Sequence, residues 1–186
     1  METIIRNGCA YRVEIEHDED MGPPWEEHDG HGIVSAWTRR DKAPGEVIIA
    51  RDGASRRYYD VAETLAQARR DGWGLGPDGL AALASRLGRS PTRREVAAEA
   101  VRQDCDRMRQ WCADVWHWCG VIVKQLDEDG EETGETRSLW GIESDSGDYL
   151  DTVAGELADE MESERADAMA DDIAASRPDL SPESRA

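Results

Sequence analysis

The chain has 186 residues, with 41 acidic and 22 basic side chains, a formal charge of −19 at pH 7 and a mean hydropathy of −0.72. No apolar run approaches the roughly 20 residues that a membrane-spanning helix needs, and the N-terminus lacks the basic-then-apolar order of a signal peptide. Hydrophobic residues make up 39% of the chain, and seven Trp and four Tyr can anchor a core. The composition therefore excludes a membrane protein and a wholly disordered chain, and it predicts a cytoplasmic protein.

The negative charge is concentrated at one end of the sequence. Residues 1–60 carry a formal charge of −5, residues 61–125 carry +2 and residues 126–186 carry −16. Such asymmetry gives the molecule a directional electrostatic field, which can attract a basic partner and repel nucleic acid. The alternative is an acidic face that serves only solubility.

The N-terminal third has the pattern of a small antiparallel meander. Tyr11–Glu16 alternates apolar and charged residues, which is typical of a half-buried strand. Residues 18–32 are rich in Gly, Pro and acids and form a predicted loop. Two further strands are expected at 33–37 and 47–51, and Tyr58-Tyr59 can close a fourth.

Helices are predicted for the middle of the chain. Two segments have the spacing of a capping box, Asp60 to Glu63 and Thr92 to Glu95, and each predicts the start of a helix. The second helix carries an apolar stripe that we expect to run as far as Val115, and Cys105 and Cys112 lie in phase with it. These cysteines are therefore expected to be buried small hydrophobic residues.

The last third begins with a hairpin over residues 116–142, whose turn at 127–135 contains no apolar residue. An acidic helical part follows at 146–175, with Tyr149, Val153, Leu157 and Met161 as its expected buried line. Residues 176–186 are expected to form a flexible tail.

These elements predict one α+β domain over residues 1–175, with a β-rich part (1–59), a helical part (60–115), the hairpin and the acidic helical part. Its antiparallel sheet, formed by the N-terminal meander plus the 116–142 hairpin, is expected to pack against the long central helix and several shorter helices.

Two histidines are weak candidates for metal binding. His28 and His31 stand close together in an acidic loop, and imidazole and carboxylate groups together can bind Zn²⁺ or Mn²⁺. Their spacing matches no established metal site, so a solvated polar loop is favoured. The sequence predicts no cofactor and no enzymatic activity.

Residues 80–97 resemble a helix-turn-helix and are similar to the third region of bacterial sigma factors around Leu87-Gly88-Arg89 and Pro91-Thr92. The resemblance implies phosphate contacts by four arginines: Arg86, Arg89, Arg93 and Arg94. It makes a nucleic-acid-binding regulatory protein the alternative function. A plain helical hairpin is the simpler interpretation of the same residues.

Several short stretches resemble small acidic proteins encoded in tailed-phage genomes. They include Tyr11-Arg12-Val13, the segment Pro24–Gly32, the segment Ala68–Gly74, Arg109-Gln110-Trp111-Cys112, and the acidic stretch 126–134 with 138–144. The resemblance implies a phage accessory protein that acts inside a bacterium, and it assigns no residue a role.

Together these features predict a non-enzymatic protein that inhibits or modulates a basic, nucleic-acid-binding protein of the host, through an acidic surface that mimics DNA. Restriction, CRISPR and other defence proteins are the expected partners, and direct DNA binding is not expected. The oligomeric state is left open. The predicted partner-binding residues are Asp127, Glu128, Asp129, Glu131, Glu132 and Glu135 in the hairpin, and Asp151, Glu156, Asp159, Glu160 and Glu162 in the acidic helix.

Overall fold

The structure, a computed structural model, describes residues 2–175 and the side chains of residues 2–171. The chain divides into two compact units, which we call the terminal unit and the central unit. The terminal unit combines the chain up to Asp18 with the chain from Trp118 onward, and the central unit is Glu19–His117. The predicted flexible tail at 176–186 lies outside the described residues.

The terminal unit contains a four-stranded antiparallel sheet of order β1-β2-β5-β6. Its strands are β1 (Glu2–Arg6), β2 (Cys9–His17), β5 (Trp118–Leu126) and β6 (Glu132–Glu143). Asn7 and Gly8 connect the first two strands with φ angles of 47° and 89°. An Asn-Gly pair tolerates these positive angles, so it favours a tight hairpin turn.

One helix, α5 (Tyr149–Ala175), packs against β1, β5 and β6. Strand alternation places Tyr11, Val13, Cys119, Val121, Val123 and Ile142 in the core, where they meet Val153, Ala154, Leu157, Ala158 and Met161 of α5. The alanines and the buried Gly155 have little or no side chain, which lets the helix backbone approach the sheet. A Cβ added to Gly155 would already lie 3.0 Å from Nη2 of Arg6.

The central unit is mainly helical, with α1 (Pro24–Glu27), α2 (Val61–Asp71), α3 (Pro77–Leu87) and α4 (Arg93–Cys112). Its two strands, β3 (Glu46–Asp52) and β4 (Ser55–Asp60), form a separate antiparallel hairpin. α4 packs mainly against α2 and β3. Both predicted helix starts are confirmed, since Asp60 accepts a hydrogen bond from the Glu63 amide and Thr92 forms a reciprocal capping box with Glu95.

Asp104 of α4 fixes the loop that precedes the hairpin. Its Oδ2 accepts hydrogen bonds from the backbone amide of Gly32, at 2.8 Å, and from the hydroxyl of Tyr59, at 2.7 Å. Its Oδ1 lies 2.7 Å from Nδ1 of His31. Burial raises the pKa of the Tyr59 phenol above its usual value, and the Asp104 carboxylate raises it further, so Tyr59 remains a hydrogen-bond donor throughout the neutral range.

The α+β class is confirmed, but several predicted details are wrong. The strands do not form one sheet, and the segment 33–37 makes only an isolated bridge, Val34 to Tyr59. The helix that covers the four-stranded sheet is α5. α4 ends at Cys112, and Val115, which was expected on its buried stripe, is 65% exposed. The prediction of a single domain over residues 1–175 stays a prediction.

Within the described part of the chain, no helix is both long and apolar enough to cross a membrane.

Gly32 offers a direct test of the Asp104 cluster. A Cβ at this buried position would lie 2.1 Å from the hydroxyl oxygen of Tyr59, which is itself fully buried and held by Asp104. We expect Gly32→Ala to lower the free energy of unfolding by about 1–3 kcal/mol, because neither group can move without losing a buried hydrogen bond. Chemical denaturation measures this change.

Gly74→Ala is the matched control, since nothing lies within 4 Å of a Cβ added there. If Gly32→Ala and Gly74→Ala lose a similar amount of stability, the role assigned to the Tyr59 contact is contradicted.

Candidate functional site

Charge is divided unequally between the two units. The terminal unit contains 24 of the 41 acidic residues and 7 of the 22 basic ones, a formal charge of −17. The central unit, with 17 acidic and 15 basic residues, has a formal charge of −2. The two candidate sites follow this division: an acidic surface on the terminal unit and a basic cleft on the central unit.

The hairpin tip is shorter than predicted. The turn spans residues 127–131, and β6 begins at Glu132, so Glu132 and Glu135 lie on a strand. Asp127 shapes this turn, because its Oδ1 accepts hydrogen bonds from the amides of Asp129 and Glu131, both at 2.9 Å. Its carboxylate is therefore engaged inside the protein. Glu128, Asp129, Glu131 and Glu135 are exposed, and their carboxylates bond to no described residue.

Glu132 has a structural role that the sequence analysis missed. Arg12 and Lys124 are directly opposite each other on β2 and β5, an arrangement in which like charges repel. Glu132 lies between them, 2.8 Å from Arg12 and 3.5 Å from Lys124. Lys124 also contacts Glu14 at 2.8 Å, and this hydrogen bond is the main cause of its raised pKa. The carboxylate of Glu132 is therefore already paired within the terminal unit, and its assignment to partner binding stays a prediction.

The acidic helix presents some of its predicted residues to solvent. Asp151, Glu156 and Glu160 are exposed and form no ion pair with any residue that the structure describes. Asp159 is exposed too, but it pairs with Arg6 at 3.2 Å.

The prediction that Glu162 points away from the buried line is wrong. Glu162 is 7% exposed, accepts a hydrogen bond from the hydroxyl of Tyr11 and lies 3.2 Å from Arg165. The bond from Tyr11 is the main cause of its lowered pKa. Tyr149, expected in the core, is instead 51% exposed at the start of α5.

The seven exposed carboxylates that remain define what we call the acidic surface: Glu128, Asp129, Glu131, Glu135, Asp151, Glu156 and Glu160.

Two of the four predicted phosphate-binding arginines are occupied by carboxylates of α4. Arg86 lies 2.7 Å from Glu99, and Arg89 lies 2.6 Å from Glu95. Glu99 is held by Arg102 as well, and the two guanidinium groups lower its pKa to about 2. Arg93 and Arg94 form no ion pair with a described residue. Of these four arginines, only Arg93 and Arg94 therefore have no ion-pair partner among the residues that the structure describes.

Arg93 and Arg94 line a cleft that the sequence analysis did not foresee. The cleft has a volume of about 560 Å³ and lies between the end of α2 and the start of α4. Arg69 and Trp73 contribute to the same cleft. The Arg-Arg-Asp-Gly-Trp-Gly stretch at the end of α2 was visible in the sequence, but its proximity to Arg93 is a tertiary relation.

His31 is directed at Asp104, so one of its ring nitrogens is already engaged, while His28 lies in an exposed position. Across the described residues, no group of three or more His, Cys, Asp or Glu side chains could hold a metal ion. Cys105 is buried, as predicted, and Cys119 is buried too, whereas Cys112, which was also predicted to be buried, is only half-buried.

A scan against protein-family models found no match, and searches of curated proteins and of solved structures found none either.

The burial of Glu162 predicts a difference between two acids on the same helix. Glu162→Gln should lower the free energy of unfolding by about 1–2 kcal/mol, because the amide weakens the bonds to Tyr11 and Arg165. Glu160→Gln makes the same chemical change at an exposed position and should alter stability by less than about 0.5 kcal/mol. Denaturant titration of both variants measures the difference, and equal effects would contradict the buried position of Glu162.

The ion pairs of Glu99 predict an acid-dependent loss of stability. The native pKa is about 2 against an ordinary value of 4.5, so between these values the unfolded chain takes up a proton that the native protein does not. The free energy of unfolding should therefore fall as the pH drops from 4.5 towards 2. The free energy of unfolding of Glu99→Gln, measured by denaturant titration, should fall less steeply over this pH interval. The double variant Arg86→Gln with Arg102→Gln should behave in the same way. An unchanged slope in both variants would contradict this assignment.

Proposed function

We propose that this protein binds and inhibits, or modulates, a basic nucleic-acid-binding protein of a bacterial host, and that the acidic surface of the terminal unit provides the contact. The observation that carries the proposal is the formal charge of −17 on this unit. The seven carboxylates of the acidic surface have no partner among the described residues and are available to cations of another molecule.

Solubility requires far less charge than this. A net charge of magnitude roughly 2–8 is enough to keep a small domain in solution. Additional like charges repel one another and destabilise the compact state. The unpaired carboxylates at the hairpin tip and on α5 therefore oppose folding, and binding to a basic surface gives them a function.

The spacing of the exposed carboxylates suits contact with a partner that normally binds nucleic acid. Glu156 and Glu160 are one helical turn apart, which corresponds to about 6 Å along the axis of α5. Duplex DNA carries one charge per about 1.7 Å of its axis, so a phosphate-binding groove contains a row of cations. Carboxylates on a helix and on a hairpin tip can occupy such a row, and the contact needs no catalytic group.

The biological setting is part of the proposal. The resemblance of several segments to small acidic proteins encoded in tailed-phage genomes supports a phage accessory protein. A bacterial restriction, CRISPR or other defence protein that binds DNA is then the natural basic partner.

The test combines capture with competition. The tagged full-length chain is used to isolate proteins from a bacterial lysate at low and at high salt, and each captured protein is then assayed for DNA binding. We expect a partner that is lost at high salt, because screening weakens contacts between exposed charges. The free chain should displace DNA from that partner. Capture that is insensitive to salt, or a partner that still binds DNA in the complex, would refute mimicry.

Substitutions at the hairpin tip give the corresponding prediction for residues. Neutralising Glu128, Asp129 and Glu131 to their amides should slow association with the captured partner by about tenfold or more, because electrostatic complementarity acts mainly on the association rate. Surface plasmon resonance measures the rate.

The control neutralises three exposed acids of the central unit, Asp29, Asp52 and Asp71, to asparagine. It makes the same change in net charge and should leave the association rate nearly unchanged. If both triple variants slow association equally, the hairpin acids contribute to solubility and not to partner binding.

A further inference from the structure

The cleft of the central unit has an apolar floor. Ala68 of α2 and Ala97 of α4 are 0% and 3% exposed, and Pro91 and Val96 beside them are half-buried. Trp73 is also half-buried, so part of its indole surface remains accessible in the cleft. No other aromatic ring or guanidinium stacks on it among the residues that the structure describes. This surface is suited to a flat, aromatic group.

The rim of the cleft is cationic. Arg69, Arg93 and Arg94 are exposed, and none of them has an ion-pair partner in the described part of the chain. No acidic residue lines the cleft. By contrast, Arg86, Arg89 and Arg102 are each paired with a carboxylate of α4.

The size of the cleft limits the ligand. At about 560 Å³ it falls within the range of small-molecule sites. Gly72 and Gly74 also line the cleft, and a Cβ added to either would meet no atom within 4 Å, so the space beside these glycines is open. An apolar floor, one indole and three guanidinium groups suit a ligand with a planar ring and a phosphate.

We propose that this cleft binds a nucleoside phosphate, with the base against Trp73 and the phosphate held by Arg93 and Arg94, assisted by Arg69. Guanidinium groups bind phosphate through paired, charge-assisted hydrogen bonds. Bases of every kind stack on aromatic side chains. The same chemistry is supplied by a free nucleotide or by one nucleotide of a single strand.

The experiment titrates the full-length chain with nucleoside monophosphates, with inorganic phosphate, and with labelled single-stranded and double-stranded oligonucleotides of equal length. Calorimetry follows the small ligands, and fluorescence anisotropy follows the oligonucleotides. We expect binding of a nucleotide that is tighter than binding of inorganic phosphate. Binding of monophosphates identifies the free nucleotide as the source, and binding of the single strand alone identifies the nucleic acid.

Two variants test the residues. Arg93→Gln with Arg94→Gln should weaken binding by about tenfold or more, because charge-assisted hydrogen bonds are lost. Arg39→Gln with Arg51→Gln removes the same charge from exposed sites of the same unit that lie outside the cleft, and should leave affinity unchanged. Trp73→Leu should abolish the preference for nucleotide over inorganic phosphate.

Three results would overturn the proposal. The first is no binding of any ligand at millimolar concentration. The second is equal weakening by the two arginine pairs, which would indicate a nonspecific charge effect. The third is binding of duplex at least as tight as binding of single strand, with inorganic phosphate equal to nucleotide. The arginine variants remain decisive if Trp73→Leu does not fold, because exposed substitutions have small effects on stability.

Discussion

The terminal unit depends on one constraint: α5 contains nine acidic residues and must still bury one of its faces against a sheet. Small residues resolve this conflict. Ala154, Gly155 and Ala158 are buried and bring the helix backbone close to the strands, so the acidic side chains that the structure describes lie on the rest of the helix circumference. The exception is Glu162, which stays in the interface because Tyr11 donates a hydrogen bond to it. The high charge of the surface is thus compatible with a packed core.

The central unit balances its charges internally. Glu46 pairs with Arg40, Glu95 with Arg89, and Glu99 with both Arg86 and Arg102. Exposed ion pairs contribute little to stability individually. Their effect on binding is larger, because each pair removes a carboxylate and a guanidinium from the groups open to a ligand. The arginines left unpaired around the cleft therefore create a local positive field in a unit that is almost neutral.

Much of the fold could be predicted from local patterns. Thr92 and Glu95 define the start of α4 through bonds within four residues, and Tyr11, Val13 and Ile15 reveal β2 by alternation. The strand β1 was missed even though Asn7-Gly8 is a strong hairpin signal, because the apolar residues before it are few. Partners separated widely in sequence, such as β2 with β5, cannot be read from periodicity.

Prediction of the candidate site was limited in the same way, because contacts between distant residues are not visible in local patterns. Helical spacing correctly placed Val153, Leu157 and Met161 in the core, and it put Glu162 on the exposed side because periodicity contains no information about Tyr11, which lies 151 residues away. The cleft was missed for a similar reason, since Trp73 and Arg93 meet only through the packing of α2 on α4. Charge counts, which need no tertiary information, assigned most of the negative charge to the last third of the chain, and most of that segment belongs to the terminal unit.

A formal charge of −19 does not oppose an anion in the cleft as strongly as the total suggests. At physiological ionic strength, fields of exposed charges are screened over about 8 Å, so the cleft responds mainly to charges in its immediate surroundings. The lining contributes three arginines with no ion-pair partner among the described residues, and of the two adjacent acids, Asp71 and Glu95, the second is already paired with Arg89. The proposed contact with a basic partner instead depends on the summed field of many carboxylates on the terminal unit. Attraction of a large cationic surface and local recognition of a phosphate are therefore compatible in one chain, because they act over different distances and use different residues.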